Sequence, residues 1–167
     1  DSDGNIEWDI NLTSSSTASL VPTIDVDSSN NMLVAWADSR NPDVSVYVQK
    51  IDSSGNPQWT AGGLLIYNES GQDQDRIEIT SDGAGGAVVF WERLNTSYAF
   101  DVYLQRINSG GTLAWNSGNP VQRTYEGDSW MYDIIYDATI DGVFITYSDW
   151  YTDYIDRLDL TDGTSLW

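Results

Sequence analysis

Neither cysteine nor histidine occurs in these 167 residues. The first absence removes disulfides and thiol nucleophiles. The second removes imidazole acid–base catalysis and any His-containing triad, and together they remove zinc sites with N and S ligands. Basic residues are scarce: 7 Lys and Arg stand against 26 Asp and Glu, a formal net charge of −19. A field of that sign repels nucleic acid and anionic membrane surfaces, attracts cations and keeps chains soluble and apart. No apolar run approaches the roughly 20 residues that span a bilayer, so membrane insertion is not expected. The chain opens on Asp1-Ser2-Asp3, with neither Met nor a signal peptide, and reads as a mature or excised segment. Carboxylates, Tyr, Ser and Thr hydroxyls, a few cations and the backbone remain for chemistry.

What is abundant is amphipathic aromatic surface: eight Trp and ten Tyr against three Phe and two Met, within a hydrophobic fraction of 40%. That content supports a core, and its kind suits half-buried sheets and binding faces. A repeat organises it. Gly precedes Trp by four residues at Gly4…Trp8, Gly55…Trp59, Gly111…Trp115 and Gly163…Trp167, with Trp spacings of 51, 56 and 52 residues. Upstream of the last three Trp lie Tyr47-Val-Gln-Lys-Ile-Asp52, Tyr103-Leu-Gln-Arg-Ile-Asn108 and Tyr154-Ile-Asp-Arg-Leu-Asp159. Further upstream lie Met32-Leu-Val-Ala-Trp36, Ala87-Val-Val-Phe-Trp91 and Val143-Phe-Ile-Thr-Tyr147.

Each repeat divides into four strand-like pieces. The second is the most continuously apolar, as for a strand covered on both faces. The third alternates, with Tyr47, Gln49 and Ile51 on one face and Val48, Lys50 and Asp52 on the other. The fourth is expected at the Trp itself: from Pro57–Trp59 onward, then Thr112–Trp115 and Thr164–Trp167. Turn-forming Asn30-Asn31, Gly85-Gly86 and Asp141-Gly142 separate the first and second pieces. Four strands per period of about 50 residues point to an all-β, β-propeller-like fold. It has three four-stranded antiparallel blades of about 52 residues and an N-terminal partial strand. A β-helix uses shorter coils, and a β-sandwich does not repeat its turns on schedule. The boundaries are residues 1–12 for the tail of a preceding blade, then 13–59, 60–115 and 116–167.

Trp36-Ala-Asp38-Ser-Arg40 followed by Val46-Tyr-Val-Gln-Lys-Ile-Asp52 and Gly55…Trp59 resembles a repeat of large secreted bacterial proteins, W-x-D-x-R then Y-x-Q-R-φ-D-x-x-G-x-x-x-W. The resemblance recurs with decay. Trp91-Glu92-Arg93 loses the spacing, and the third repeat loses the Arg. It implies propeller-type repeats, extracellular display and a binding or scaffolding role, and no single activity. The ending Asp159…Gly163…Trp167 is similar to the Trp-docking motif of quinoprotein propellers, which implies locking between neighbouring blades and no quinone cofactor. The sialidase Asp-box is only a cousin, with its Gly one residue closer to the aromatic.

Three blades are too few to close a ring, since rings need about four or more. Either the chain belongs to a longer polypeptide, the first expectation, or copies associate, for example two into a six-bladed ring.

Several groups of residues are candidate sites. Asp38 and Arg40, with Asp43, end an apolar strand and form either a ligand contact or a turn-stabilising ion pair, the latter being commoner. Asp25, Asp27 and Asn30, like Asp1 to Asn5, resemble oxygen-rich Ca²⁺ loops, although ordinary Asx turns have the same composition. Ca²⁺ is the only cofactor these loops admit; otherwise none is expected. Glu69, Asp73, Asp75, Glu126 and Asp128 fall between repeats, near Tyr125 and Trp130, in the mixture of carboxylates and aromatics that binds sugars. Trp150 and Tyr151 have no counterparts in the other repeats and fall in a hairpin, as an exposed binding feature would. Asn11, Asn68 and Asn95 head N-glycosylation sequons. These features point to a secreted or cell-surface, non-enzymatic binding or scaffold module whose partners are glycans, surface proteins or further copies. A sialidase- or glycosidase-like enzyme using carboxylates and a structural subunit of a surface layer or filament are the alternatives.

Overall fold

The computed structural model describes residues 6–13, 19–41, 43–68, 74–95, 99–123, 129–149 and 151–166, and the backbone alone at 19, 20, 74 and 75. It is all-β, with three antiparallel sheets in chain order. The first sheet contains β1 (Ser19–Val26), β2 (Met32–Asp38), β3 (Ser45–Ile51) and β4 (Leu64–Tyr67). The second contains β5 (Gln74–Ser81), β6 (Ala87–Leu94), β7 (Phe100–Ile107) and β8 (Val121–Arg123). The third contains β9 (Trp130–Asp137), β10 (Gly142–Ser148) and β11 (Asp153–Leu158), three strands among the described residues.

Period-two alternation in the central strands builds the core. Leu33, Ala35 and Ala37 of β2 meet Ala87, Val89 and Trp91 of β6 between the first and second sheets. Val88 and Phe90 from the other face of β6 meet Val143, Ile145 and Tyr147 of β10. Val34 and Trp36, on the far face of β2, are covered by Trp8, Ile10 and Leu12. A strand apolar on both faces therefore cements two interfaces, each fully buried large side chain contributing roughly 1.5–3 kcal/mol.

The fourth strands lie elsewhere than the sequence predicts. Pro57–Trp59, Thr112–Trp115 and the described part of Thr164–Trp167 make only single bridges, at Pro57, Leu113 and Ser165. The ladder stops because a side chain replaces it. Gln49 Oε1 accepts the Trp59 N–H at 2.9 Å, and Gln105 Oε1 accepts the Trp115 N–H at 3.0 Å. The chain then turns, through the 3-10 segment Asn116–Gly118 in the second sheet, before β4 or β8 pairs with the third strand. Each freed Trp reaches the next unit: Trp8 Nε1 donates to Ser53 O at 3.2 Å, Trp59 to Ser109 O at 3.1 Å and Trp115 to Leu160 O at 3.0 Å. Residues 6–13 form no strand, contrary to the expected N-terminal partial strand. Through Trp8, Ile10 and Leu12 the segment packs on the first sheet.

Candidate functional site

The first strands of the three sheets, β1, β5 and β9, line a groove of about 270 Å³. Each carries an irregularity in its pairing near its start. Past that point the registers coincide: Thr23 pairs with Ala35, Glu78 with Phe90 and Asp133 with Thr146. Thr23, Glu78 and Asp133 thus occupy one structural position and all line the groove.

Hydrogen bonds cross the groove from sheet to sheet. Thr23 Oγ1 donates to Glu78 Oε2 at 3.1 Å. Asp25 Oδ2 accepts from Thr80 Oγ1 at 3.0 Å and from the Ser81 N–H at 2.8 Å. Thr80 Oγ1 in turn accepts the Tyr136 N–H at 3.0 Å. Asp25 and Thr80 stand at equivalent positions, so the first joint is repeated at the second. Elsewhere in the second joint, buried Glu92 accepts the Met131 N–H at 2.7 Å.

A second set of carboxylates holds cations that bridge sheets. Asp27 pairs with Lys50 at 2.8 Å, and Lys50 Nζ also donates to Gly85 O of the second sheet. Asp82 pairs with Arg106 at 2.8 Å, and Arg106 Nη1 reaches Leu160 O beyond the third sheet's last strand. Burial pushes the Asp27 carboxyl up, but Lys50, the Asn31 amide and the N–H groups of Asn31 and Ser29 outweigh it and hold it at about 2. At Asp38 burial again pushes upward, and Arg40 with the Trp36 indole prevails downward. In the exposed turns the Asn56 N–H lowers Asp52, the Thr139 hydroxyl lowers Asp137, the Tyr151 N–H lowers Asp149 and the Thr164 N–H lowers Asp162.

The residues singled out from sequence fall in several separate places. Asp38 and Arg40 come together at 2.5 Å; Arg40 also donates to Gly62 O and lies 4.0 Å from the Tyr47 ring centroid. That arrangement ties β2, β3 and the approach to β4. Asp25 and Asp27 face different partners, Asp25 the second sheet and Asp27 its own turn and Lys50, while Asn30 sits in the β1–β2 turn with φ +61°. Among the described residues no group of three His, Cys, Asp or Glu is spaced to hold a metal ion. Trp130 opens β9 opposite Ser148, and Tyr151 is 97% exposed in the turn between β10 and β11, so the two aromatics belong to different elements. Tyr125, Trp150, Glu69, Asp73, Glu126, Asp128 and Asp1 to Asn5 lie outside the described residues, as does the side chain of Asp75. Asn11 and Asn68 are exposed, whereas the Asn95 amide is engaged with Asp101 and Ala99.

Sequence reasoning missed Thr23, Glu78 and Asp133. They precede Trp36, Trp91 and Tyr147 by 13, 13 and 14 residues, so aligning the repeats on that aromatic matches Thr23 with Glu78 but misses Asp133 by one.

No family model matches this chain. No curated protein sequence matches it either. Among solved structures, an endo-arabinase from Bacteroides thetaiotaomicron superposes with a TM-score of 0.52 at 15% identity, over 92% of this chain and 60% of its own. The likeness is one of fold, and this chain spans 60% of the length of that protein.

Proposed function

We propose that the three sheets are successive blades of a β-propeller and that the chain is an extracellular, non-enzymatic binding or scaffold module. Matched strand order, matched register and a core that runs from sheet to sheet support the blade reading. The observation that carries the function is the use made of the buried acids. Asp27, Asp38, Asp82 and Glu92 are buried and serve ion pairs or the neighbouring sheet's backbone. A hydrolase built on two carboxyls needs one held protonated near neutrality. Among the described residues the displaced carboxyls, Asp27, Asp38, Asp52, Asp137, Asp149 and Asp162, all move downward, and none of the six lines the groove.

A glycosidase-like second reading has one observation in its favour: Glu78 and Asp133 line one groove, in a fold similar to that of a protein named an endo-arabinase. Fold likeness alone does not transfer activity. Affinity electrophoresis in gels cast with soluble polysaccharides, arabinan included, tests the binding role. Retardation by a subset of the glycans is the expected result. Uniform migration in all of them contradicts a glycan-binding module.

A further inference from the structure

The Asn-x-Ser/Thr sequons at Asn11, Asn68 and Asn95 meet the fold differently. In N-glycosylation the Asn side-chain nitrogen attacks the sugar, so it must be free of hydrogen bonds and lie where a transferase reaches it. Asn95 fails on both counts. It is half-buried, its Nδ2 donates to Asp101 Oδ1 at 3.3 Å, and its Oδ1 accepts the Ala99 N–H at 3.1 Å. Its backbone N–H donates to Ala99 O at 2.8 Å, so the whole residue closes the loop between β6 and β7. Asp101 is itself held by Arg93 at 2.9 Å.

Asn68 is exposed, and its side chain has no hydrogen-bond partner among the described residues. The last pairing of β4 joins Tyr67 to Val46, so Asn68 is the first residue past the ladder and moves without breaking it. β4 is the edge strand of the first sheet, in the order β1-β2-β3-β4. The sheets stack through their faces, where the two shared cores lie. Further blades on either side of these three would meet the faces of the first and third sheets and leave the β4 edge on the rim. Asn11 does lie on such a face, between Ile10 and Leu12, and takes no part in the inference.

From this contrast we infer that Asn68 is an N-glycan acceptor of the folded protein and that Asn95 is closed to the same reaction. The transfer forms a bond from Asn68 Nδ2 to the anomeric carbon of an oligosaccharide and breaks that carbon's bond to the pyrophosphate of a lipid carrier. The lipid pyrophosphate leaves, and the amide gives up one proton. A bulky hydrophilic group at the end of an open strand edge also blocks edge-to-edge pairing with other chains. The groove along β1 lies at the opposite edge of the sheet, three strand spacings or about 14 Å away, so a glycan at Asn68 stands clear of it. The inference rests on the blade reading and on an extracellular address.

Purified folded protein, incubated with a lipid-linked oligosaccharide and an oligosaccharyltransferase, tests it, with occupancy at each sequon read by peptide mass spectrometry. Synthetic peptides of residues 64–72 and 91–99 serve as unfolded acceptors in the same reaction. Measured against its own peptide, Asn68 of the folded protein is modified at least about tenfold faster than Asn95, whose side-chain hydrogen bonds must break first. Asn68→Gln removes the added mass at that site and leaves the circular dichroism and Tm unchanged. Equal relative rates at Asn68 and Asn95 overturn the inference. So does a folded protein left unmodified at Asn68 while the 64–72 peptide is modified. Either result leaves the polysaccharide-retention test of the binding role standing on its own.

Discussion

Trp59 covers Gly111 across 52 residues of chain: a Cβ built on that glycine would come within 2.7 Å of indole Cδ1. The glycine also has φ +76°, in the left-handed region. Trp8 on Gly55 and Trp115 on Gly163 repeat the relationship. The G-x-x-x-W spacing is thus an intersheet joint, in which each glycine receives the Trp of the preceding unit and four residues later comes the Trp for the next.

Gly111→Ala adds a clash to backbone strain and should cost about 2–4 kcal/mol. Gly110→Ala, whose nearest neighbour is Asn108 Oδ1 at 3.6 Å, should cost under about 1 kcal/mol. Urea midpoints of the two variants, side by side, check the contrast.

Glu92→Ala leaves the buried Met131 N–H without its acceptor, a loss of about 2–3 kcal/mol. Glu92→Gln keeps an acceptor oxygen and should lose roughly half as much. Equal losses in chemical denaturation would show that the carboxylate acts otherwise than as an acceptor.

Gln105→Leu removes both the acceptor of the Trp115 N–H and the donor to Asn119 O, at a site with no solvent exposure. The expected cost is about 2–4 kcal/mol. Because the lost contacts hold the turn into β8, hydrogen exchange should accelerate first at Val121–Arg123.

Asp27 has a folded pKa of about 2 against an ordinary 3.8, so its carboxylate stabilises the fold above the ordinary value. The contribution is about 2 kcal/mol, complete above roughly pH 5 and lost as the pH falls through about 2. In Asp27→Asn the stability profile between roughly pH 5 and 2 should be flatter by that amount. Acid titrations of both proteins supply the comparison, and identical slopes would remove Asp27 from the account.

Much of the fold is legible because it rests on spacing. The Trp and Tyr-x-Gln-Arg schedules place three units, and near-continuous apolar runs in Met32–Asp38 and Ala87–Leu94 mark strands buried on both faces. The fourth strands are harder to place because a Trp at a unit's end reads as strand, while the Gln49 and Gln105 side chains that displace the ladder lie ten residues upstream. The Asp38–Arg40 ion pair is visible locally. Its counterpart is not: Arg93 lies 4.8 Å from the Tyr103 ring centroid, as Arg40 lies over Tyr47, but takes its carboxylate from Asp101 on the next strand. Thr23, Glu78 and Asp133 share a groove through strand register alone, which three different residue types conceal.

The central proposal is that Asp27, Asp82 and Glu92 serve contacts between sheets and that Glu78 and Asp133 in the groove do not cleave a substrate. Release of reducing ends from arabinan and other polysaccharides between about pH 4 and 8, with Glu78→Gln and Asp133→Asn alongside, tests it most directly. The account predicts no release above the level of the two variants. Turnover by the unaltered protein that either variant abolishes would contradict it and make the groove an active site.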